Sequence, residues 1–235
     1  DPYYLEGLAR DPSDSRLCNS YGLVLMKRGL FAQAEELFRK AVTRLQSRNP
    51  NPQDSEPLYH LGLCLLYQGR DEEAYDWFYK ATWSKNQQEM AFFHLGCLAC
   101  KKSAYEQALF FAERSLVKNS HSLHARFLKA KVLQLLGREA EAEAYVQATL
   151  ELDPFAYASG LLLPDRKEVL ARMGARVSSF LEAAQLFMLG GWYREAYEVL
   201  DLCPAASGAL AYYQAYCLKR LGEDPKKVLA TASSL

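Results

Sequence analysis

The sequence has no excess of charge of either sign and no long apolar run. Its 235 residues carry 28 lysines and arginines against 28 aspartates and glutamates, so the formal net charge is zero. Balanced charge supplies no general attraction to nucleic acid or to an anionic membrane, and neither is expected as a partner. No apolar stretch approaches the roughly 18 residues that a membrane-spanning helix needs. Residues 1–4 lack the basic and apolar segments of a signal peptide, and we interpret the start as a cut within a longer helical array.

Motifs that mark common catalytic sites are also missing. The sequence contains no GxSxG, Walker, HExxH or Rossmann glycine pattern. Cys97 and Cys100 form a CxxC pair inside a helical pattern, but a zinc site of the usual kind needs a second pair nearby. We therefore expect reduced cysteines of a cytoplasmic protein, no metal, no cofactor and no enzymatic activity.

What the sequence does contain is an internal repeat. A small residue recurs at intervals of 40, 34 and 34 residues, at Gly22, Gly62, Gly96 and Ala130. An alanine follows twelve positions after each, at Ala34, Ala74, Ala108 and Ala142. Small side chains at this spacing let two helices cross closely, while large apolar neighbours fill the core. Gly29, Gly69 and Gly137 are placed to end the first helix of their hairpins in a left-handed conformation.

The 34-residue period, the LG…G…EA…F…A pattern and the Leu-Asp-Pro at 152–154 resemble tetratricopeptide repeats (TPRs). The resemblance implies an all-α fold, an α-solenoid in which TPR helical hairpins stack into a right-handed superhelix. The predicted organisation is the end of a preceding repeat at 1–14, four TPR units at 15–154, an irregular insertion with a short helix at 155–176, and two degenerate TPR-like hairpins with a C-terminal cap at 177–235.

Two insertions interrupt the register. Residues 47–53 are predicted to lengthen a helix and then form a proline-rich turn. The longer insertion is predicted to contain a loop and a short helix from Pro164 to Met173, and it is the expected place of a bend between two subdomains.

A second resemblance concerns Asn49–Gln53 and Tyr79–Trp83. These segments are similar to parts of the helical tail of large bacterial proteins, in which a β-rich domain precedes the repeats. That domain is uncharacterised or related to carbohydrates. The resemblance implies a bacterial origin and a missing N-terminal domain, and it names no chemical activity for this segment.

The TPR resemblance also implies a concave groove, lined by the first helices of the hairpins, that binds a protein or peptide. The repeat register assigns to this groove Asn19, Leu23, Tyr59, Leu63, Tyr67, Phe93, Lys101, Phe127 and Lys131. The equivalent position of the four units holds Asn19 and then three aromatic residues, a column that can stack on apolar side chains of a peptide. Lys101 and Lys131 can take a carboxylate. The alternative is that the aromatic residues pack between adjacent hairpins.

The expected function is a protein- or peptide-binding scaffold. Leu23 and Leu63 hold places where the carboxylate clamp of chaperone-type TPR domains needs polar residues, so chaperone tails are not expected as ligands. The alternative is a structural or oligomerisation module that supports the missing N-terminal domain, which would then be its partner. His60 and His94 hold equivalent places in successive units, and we interpret them as half-exposed polar residues and not as metal ligands. The oligomeric state stays open.

Overall fold

The computed structural model describes residues 2–47, 49–50, 52 and 54–232, and this part of the chain contains fifteen helices and no strand. The helices are α1 (Pro2–Arg10), α2 (Ser15–Lys27), α3 (Phe31–Gln46), α4 (Glu56–Tyr67), α5 (Asp71–Ala81), α6 (Gln88–Lys101), α7 (Tyr105–Lys118), α8 (Leu123–Leu135), α9 (Glu139–Leu152), α10 (Tyr157–Gly160), α11 (Lys167–Met173), α12 (Val177–Leu189), α13 (Tyr193–Asp201), α14 (Gly208–Arg220) and α15 (Lys226–Ala232). The predicted all-α class is confirmed. Of the predicted insertion at 47–53 and the C-terminal end, Arg48, Asn51, Gln53 and residues 233–235 lie outside the described residues.

The helices form two compact units, residues 1–95 and residues 96–235, with the boundary inside α6. The first unit contains the hairpins α2/α3 and α4/α5, preceded by α1. The second contains the hairpins α8/α9 and α12/α13, the helices α7 and α14, and the longer insertion.

Close helix crossing in the first two hairpins follows from their glycines. A Cβ atom on Gly22 would lie 2.7 Å from the Phe38 ring, and one on Gly62 would lie 2.8 Å from the Phe78 ring. Both rings are completely buried. Burial of such a ring stabilises a fold by about 3–5 kcal/mol relative to alanine, so the glycine positions let each hairpin close around its main core residue.

The first helices end as the spacing predicts. Gly29, Gly69 and Gly137 have φ angles of 76°, 77° and 74°. The equivalent position of the third hairpin is Ser103, which has the same left-handed conformation at φ 57°. Because a Cβ atom disfavours this region, the third hairpin carries backbone strain that the others avoid.

An ion-pair network joins α3, the second helix of the first hairpin, to the turn between α4 and α5 in the second hairpin. The Glu35 carboxylate of α3 accepts hydrogen bonds from Arg39 at 2.8 Å, from Gln68 at 2.9 Å and from Arg70 at 2.7 Å. Burial opposes ionisation of Glu35, but these hydrogen bonds outweigh it and lower the pKa of the carboxyl group. Two of the three donors lie in the turn between α4 and α5, so Glu35 fixes one hairpin on the next.

The longer insertion is built into the core of the second unit. The sequence predicts a loop and then a short helix; the structure has α11 there and, before it, the single-turn helix α10. Leu161, Leu162 and Leu163 follow α10 and are buried. Helix α10 contacts α8, α9 and α12, and Gln134 of α8 donates a hydrogen bond to the Leu162 carbonyl at 3.0 Å. The fifth hairpin, α12/α13, thus packs on the fourth through the insertion.

Candidate functional site

Asn19 and Tyr59, two members of the predicted aromatic column, are buried and hydrogen-bonded in the first unit. The Asn19 side-chain oxygen lies 2.8 Å from Nδ1 of His60, and its amide nitrogen donates to Glu56 at 3.3 Å. The Tyr59 hydroxyl lies 3.1 Å from Nε2 of His94. These side chains hold neighbouring first helices together, which is a structural role.

The interpretation of His60 and His94 as half-exposed residues is wrong, because both are buried. Helix α4 packs on α2, its Tyr59 reaches His94 of α6, and most of its residues are buried. Burial lowers the pKa of His60 to about 4, since an imidazolium would lose its hydration there. His60 is therefore neutral at pH 7 and acts as a hydrogen-bonding core residue.

Phe93 and Phe127, the other two members of the column, are each only 1 % exposed. The Phe93 ring meets the His94 ring edge to face at 5.1 Å. The Phe127 ring meets Phe187 at 4.9 Å and Trp192 at 6.2 Å, both edge to face. Direct contact of a ligand with these rings stays a prediction, and their burial supports the alternative in which they pack between hairpins.

Lys131 is bound by the chain itself. This residue is only 8 % exposed, and its Nζ atom donates to Glu195 of α13 at 2.8 Å and lies 5.5 Å from the centre of the Trp192 ring. Lys101 is half-buried, and a Cβ atom on Gly191 would lie 3.2 Å from its Cγ atom. The fifth hairpin therefore covers lysines that the register assigns to a ligand's carboxylate.

Sequence reasoning did not find Trp192 and Glu195 as partners of the predicted groove. They lie in a degenerate hairpin beyond the insertion, and Lys131 and Glu195 are 64 residues apart. No local pattern carries a signal for such a contact, because the fold of the insertion decides which residues meet.

Leu23, Leu63 and Tyr67 remain accessible in the first unit. Leu23 and Leu63 are half-buried, on the neighbouring helices α2 and α4, and each directly follows the small residue of its repeat. Tyr67, at the end of α4, is 55 % exposed, and its ring lies 6.1 Å from that of Phe31. We call these three residues the α2–α4 apolar surface.

The cysteines show no sign of an activated thiol. All six are free, and burial raises the pKa of the Cys100 thiol to about 12 and that of Cys97 well above its ordinary value. A low pKa and exposure would be needed for a reactive thiolate. Within residues 2–47, 49–50, 52 and 54–232, no group of three or more His, Cys, Asp or Glu side chains is placed to hold a metal ion.

Among the described residues, no helix is both long enough and apolar enough to cross a bilayer.

Comparisons with known proteins agree with the repeat register. Family models described as tetratricopeptide repeat match residues 16–82 and 123–155. The structure is similar to that of YrrB, "a TPR protein with an unusual peptide-binding site", with 17 % identity, 99 % of this chain and 98 % of that chain covered, and a TM-score of 0.53. It is also similar to the C-terminal part of a TPR repeat-containing protein from Cytophaga hutchinsonii, with 15 % identity, 98 % and 92 % coverage and a TM-score of 0.58.

A third similar structure is that of MamA, with 21 % identity over 63 % of this chain and 83 % of that chain, and a TM-score of 0.56. At these identities the similarity establishes the fold. The family matches identify tetratricopeptide repeats at residues 16–82 and 123–155, and the fold is that of a helical-repeat solenoid.

Proposed function

We propose that the chain is a non-catalytic scaffold that binds an apolar segment of a protein or peptide on the α2–α4 apolar surface. TPR folds serve in general as protein-interaction scaffolds. The observation that carries the proposal is the exposure of Tyr67 beside the half-buried Leu23 and Leu63, all on first helices of neighbouring hairpins. The presence of a peptide-binding site in the similar protein YrrB supports it.

The chemistry of this surface favours an apolar ligand. Two leucines and one tyrosine offer contact area, and aromatic side chains contribute strongly to protein interfaces. Lys27, at the place in α2 that Tyr67 holds in α4, is exposed and adds one cation to the rim. An amphipathic segment with apolar anchors and an acidic flank therefore fits best. In this proposal Tyr59 and Phe93 contribute indirectly, by fixing the helices.

Selection from a displayed random-peptide library tests the proposal. Peptides selected on the wild-type chain should lose about tenfold or more in affinity for Tyr67→Ala and for Leu63→Glu, measured by fluorescence anisotropy. Tyr79→Ala is the matched control, because Tyr79 is 47 % exposed on the second helix α5. Equal affinity of the selected peptides for wild type and both groove variants would refute this surface as the site.

A second candidate is a structural or oligomerisation module that supports an N-terminal domain. The contacts of Trp192 and Glu195 with Phe127 and Lys131 favour it, because part of the predicted groove holds the chain's own residues. In this version the partner is the domain expected before the repeats, and a bacterial cytoplasm is the expected location. Binding of that domain, with no peptide enriched in the library, would support this candidate over the first.

A further inference from the structure

The second unit contains a cavity of about 190 Å³ between α8, the residues after α10, and the helices α12 and α13. Four of its lining side chains are apolar, namely Leu161, Leu162, Phe187 and Val199. For scale, an engineered cavity of about 150 Å³ binds benzene, which has six heavy atoms. By this scale a ligand of about eight heavy atoms fills the cavity.

The charged residues of the cavity are balanced, but only two of them pair with each other. Lys131 and Glu195 form the 2.8 Å ion pair described above. Arg166 also lines the cavity, and its Nε atom donates to the Leu163 carbonyl at 3.2 Å. Among the described residues, neither the terminal nitrogens of Arg166 nor the carboxylate of Glu198 makes a hydrogen bond or an ion pair. The cavity thus offers a ligand one cation, the half-buried Arg166, and one anion at its mouth, the exposed Glu198.

We propose that this cavity binds a small zwitterion with an aliphatic side chain, of the class of free branched-chain amino acids. The terminal nitrogens of Arg166 match a carboxylate, which can accept two parallel hydrogen bonds from a guanidinium. The Glu198 carboxylate matches the ammonium group. A zwitterion places an opposite charge beside each of these two groups, whereas a ligand with only one charged end can pair with only one of them.

The apolar lining and the volume restrict the side chain. Valine and leucine have about eight and nine heavy atoms, close to the number that fills the cavity. Contact with Leu161, Leu162 and Phe187 would remove the aliphatic side chain from water. The hydrogen bond from Gln134 to the Leu162 carbonyl keeps this part of the wall in place. Larger amino acids, such as tryptophan, should be excluded.

Isothermal titration of the full chain with L-valine and L-leucine tests this proposal, which is independent of the peptide surface on α2 and α4. The probes include 4-methylpentanoate, which lacks the ammonium group, and 3-methylbutylamine, which lacks the carboxylate. L-leucine should bind at least about tenfold more tightly than either analogue. No binding of L-valine or L-leucine at about 10 mM would overturn the proposal, as would an analogue that binds as tightly as L-leucine.

Charge-removing variants test the contact to the ligand's carboxylate and the contact to its ammonium group separately. Arg166→Gln and Glu198→Gln should each weaken L-leucine binding by about tenfold. Glu198→Gln should leave the affinity for 4-methylpentanoate unchanged, because that probe has no ammonium group. Glu168→Gln and Arg172→Gln are the controls, since these residues form an ion pair on α11 outside the cavity lining. Unchanged L-leucine binding in both cavity variants would overturn the assignment.

Discussion

The Trp192 ring meets the Phe127 ring edge to face, with their centres 6.2 Å apart, so the fifth hairpin covers a residue that the repeat register places in a groove. The Lys131 side chain is covered in the same way, because its Nζ atom donates to Glu195, which lies one turn further along α13. A peptide that approached these positions of α8 would meet side chains of the same chain. The proposed function therefore assigns the partner to the α2–α4 apolar surface of the first unit.

Phe127→Ala should destabilise the fold, and this effect should exceed any direct effect on ligand binding. Removal of this 1 % exposed ring should lower the free energy of unfolding by about 3–5 kcal/mol, measured by urea denaturation. Tyr212→Ala is the matched control, because Tyr212 holds the equivalent first-helix position in α14 and is 66 % exposed. Its effect should stay within about 0.5 kcal/mol. A loss below about 1 kcal/mol for Phe127→Ala would show that the ring is not a core residue, and Phe127 would again be a candidate ligand contact.

Glu195→Ala should leave Lys131 without its carboxylate at a site where the lysine is 8 % exposed. The expected loss is about 1–3 kcal/mol, less than for a fully buried pair because the Glu195 side chain is 38 % exposed. The double variant Lys131→Met/Glu195→Leu should regain most of this loss, since it removes both charges. A double-mutant cycle of Lys131→Met, Glu195→Leu and their combination, measured by urea denaturation, gives the coupling. Strictly additive losses would show that the pair does not interact.

Ser103→Gly should stabilise the third hairpin. The left-handed conformation at φ 57° disfavours a side chain, and glycine relieves that strain at a smaller cost in chain entropy. The free energy of unfolding should rise by about 0.5–1 kcal/mol. Gly137→Ser, the reverse change at the equivalent position of the next hairpin, should lower it by a similar amount. If both variants match the wild type in thermal and urea unfolding, the turn carries no strain.

His60 should make the fold less stable as the pH falls from 6.5 toward 4. Its pKa is about 4 in the folded chain against an ordinary value of 6.5, so in this window the unfolded chain binds a proton that the folded chain does not. The expected contribution is a loss of about 2 kcal/mol between pH 7 and pH 5. His60→Gln should remove that part of the pH dependence, whereas His121→Gln, at an exposed histidine, should retain it. An NMR titration that places the His60 pKa near 6.5 would contradict the prediction.

The parts of the fold that could be predicted are those that local spacing determines. Gly22 and Phe38 lie within one hairpin, and their separation along two crossing helices already implies contact. The glycine that ends each first helix is equally local. Contacts such as that between Lys131 and Glu195 could not be predicted, because the two residues are 64 positions apart and the fold of the insertion between them decides which side chains meet.

The predicted groove illustrates the same limit at the level of single residues. The register correctly places Asn19 and Tyr59 on equivalent positions of α2 and α4, but position in a repeat does not determine exposure. Hydrogen bonds to His60 and His94 bury both residues, and these partners lie on the next helix. Leu63 and Tyr67 of α4, by contrast, stay accessible, the first half-buried and the second 55 % exposed.

The leucines after α10 also affect which hairpins can unfold locally on their own. In a repeat array whose hairpins touch only their neighbours, the ends can fray one hairpin at a time. Here Leu161, Leu162 and Leu163 belong to one apolar cluster with residues of both the fourth and the fifth hairpins. Opening either hairpin would expose these leucines to water, so residues 123–200 should behave as one cooperative unit in amide hydrogen exchange. Deleting the insertion would then destabilise two repeats at once.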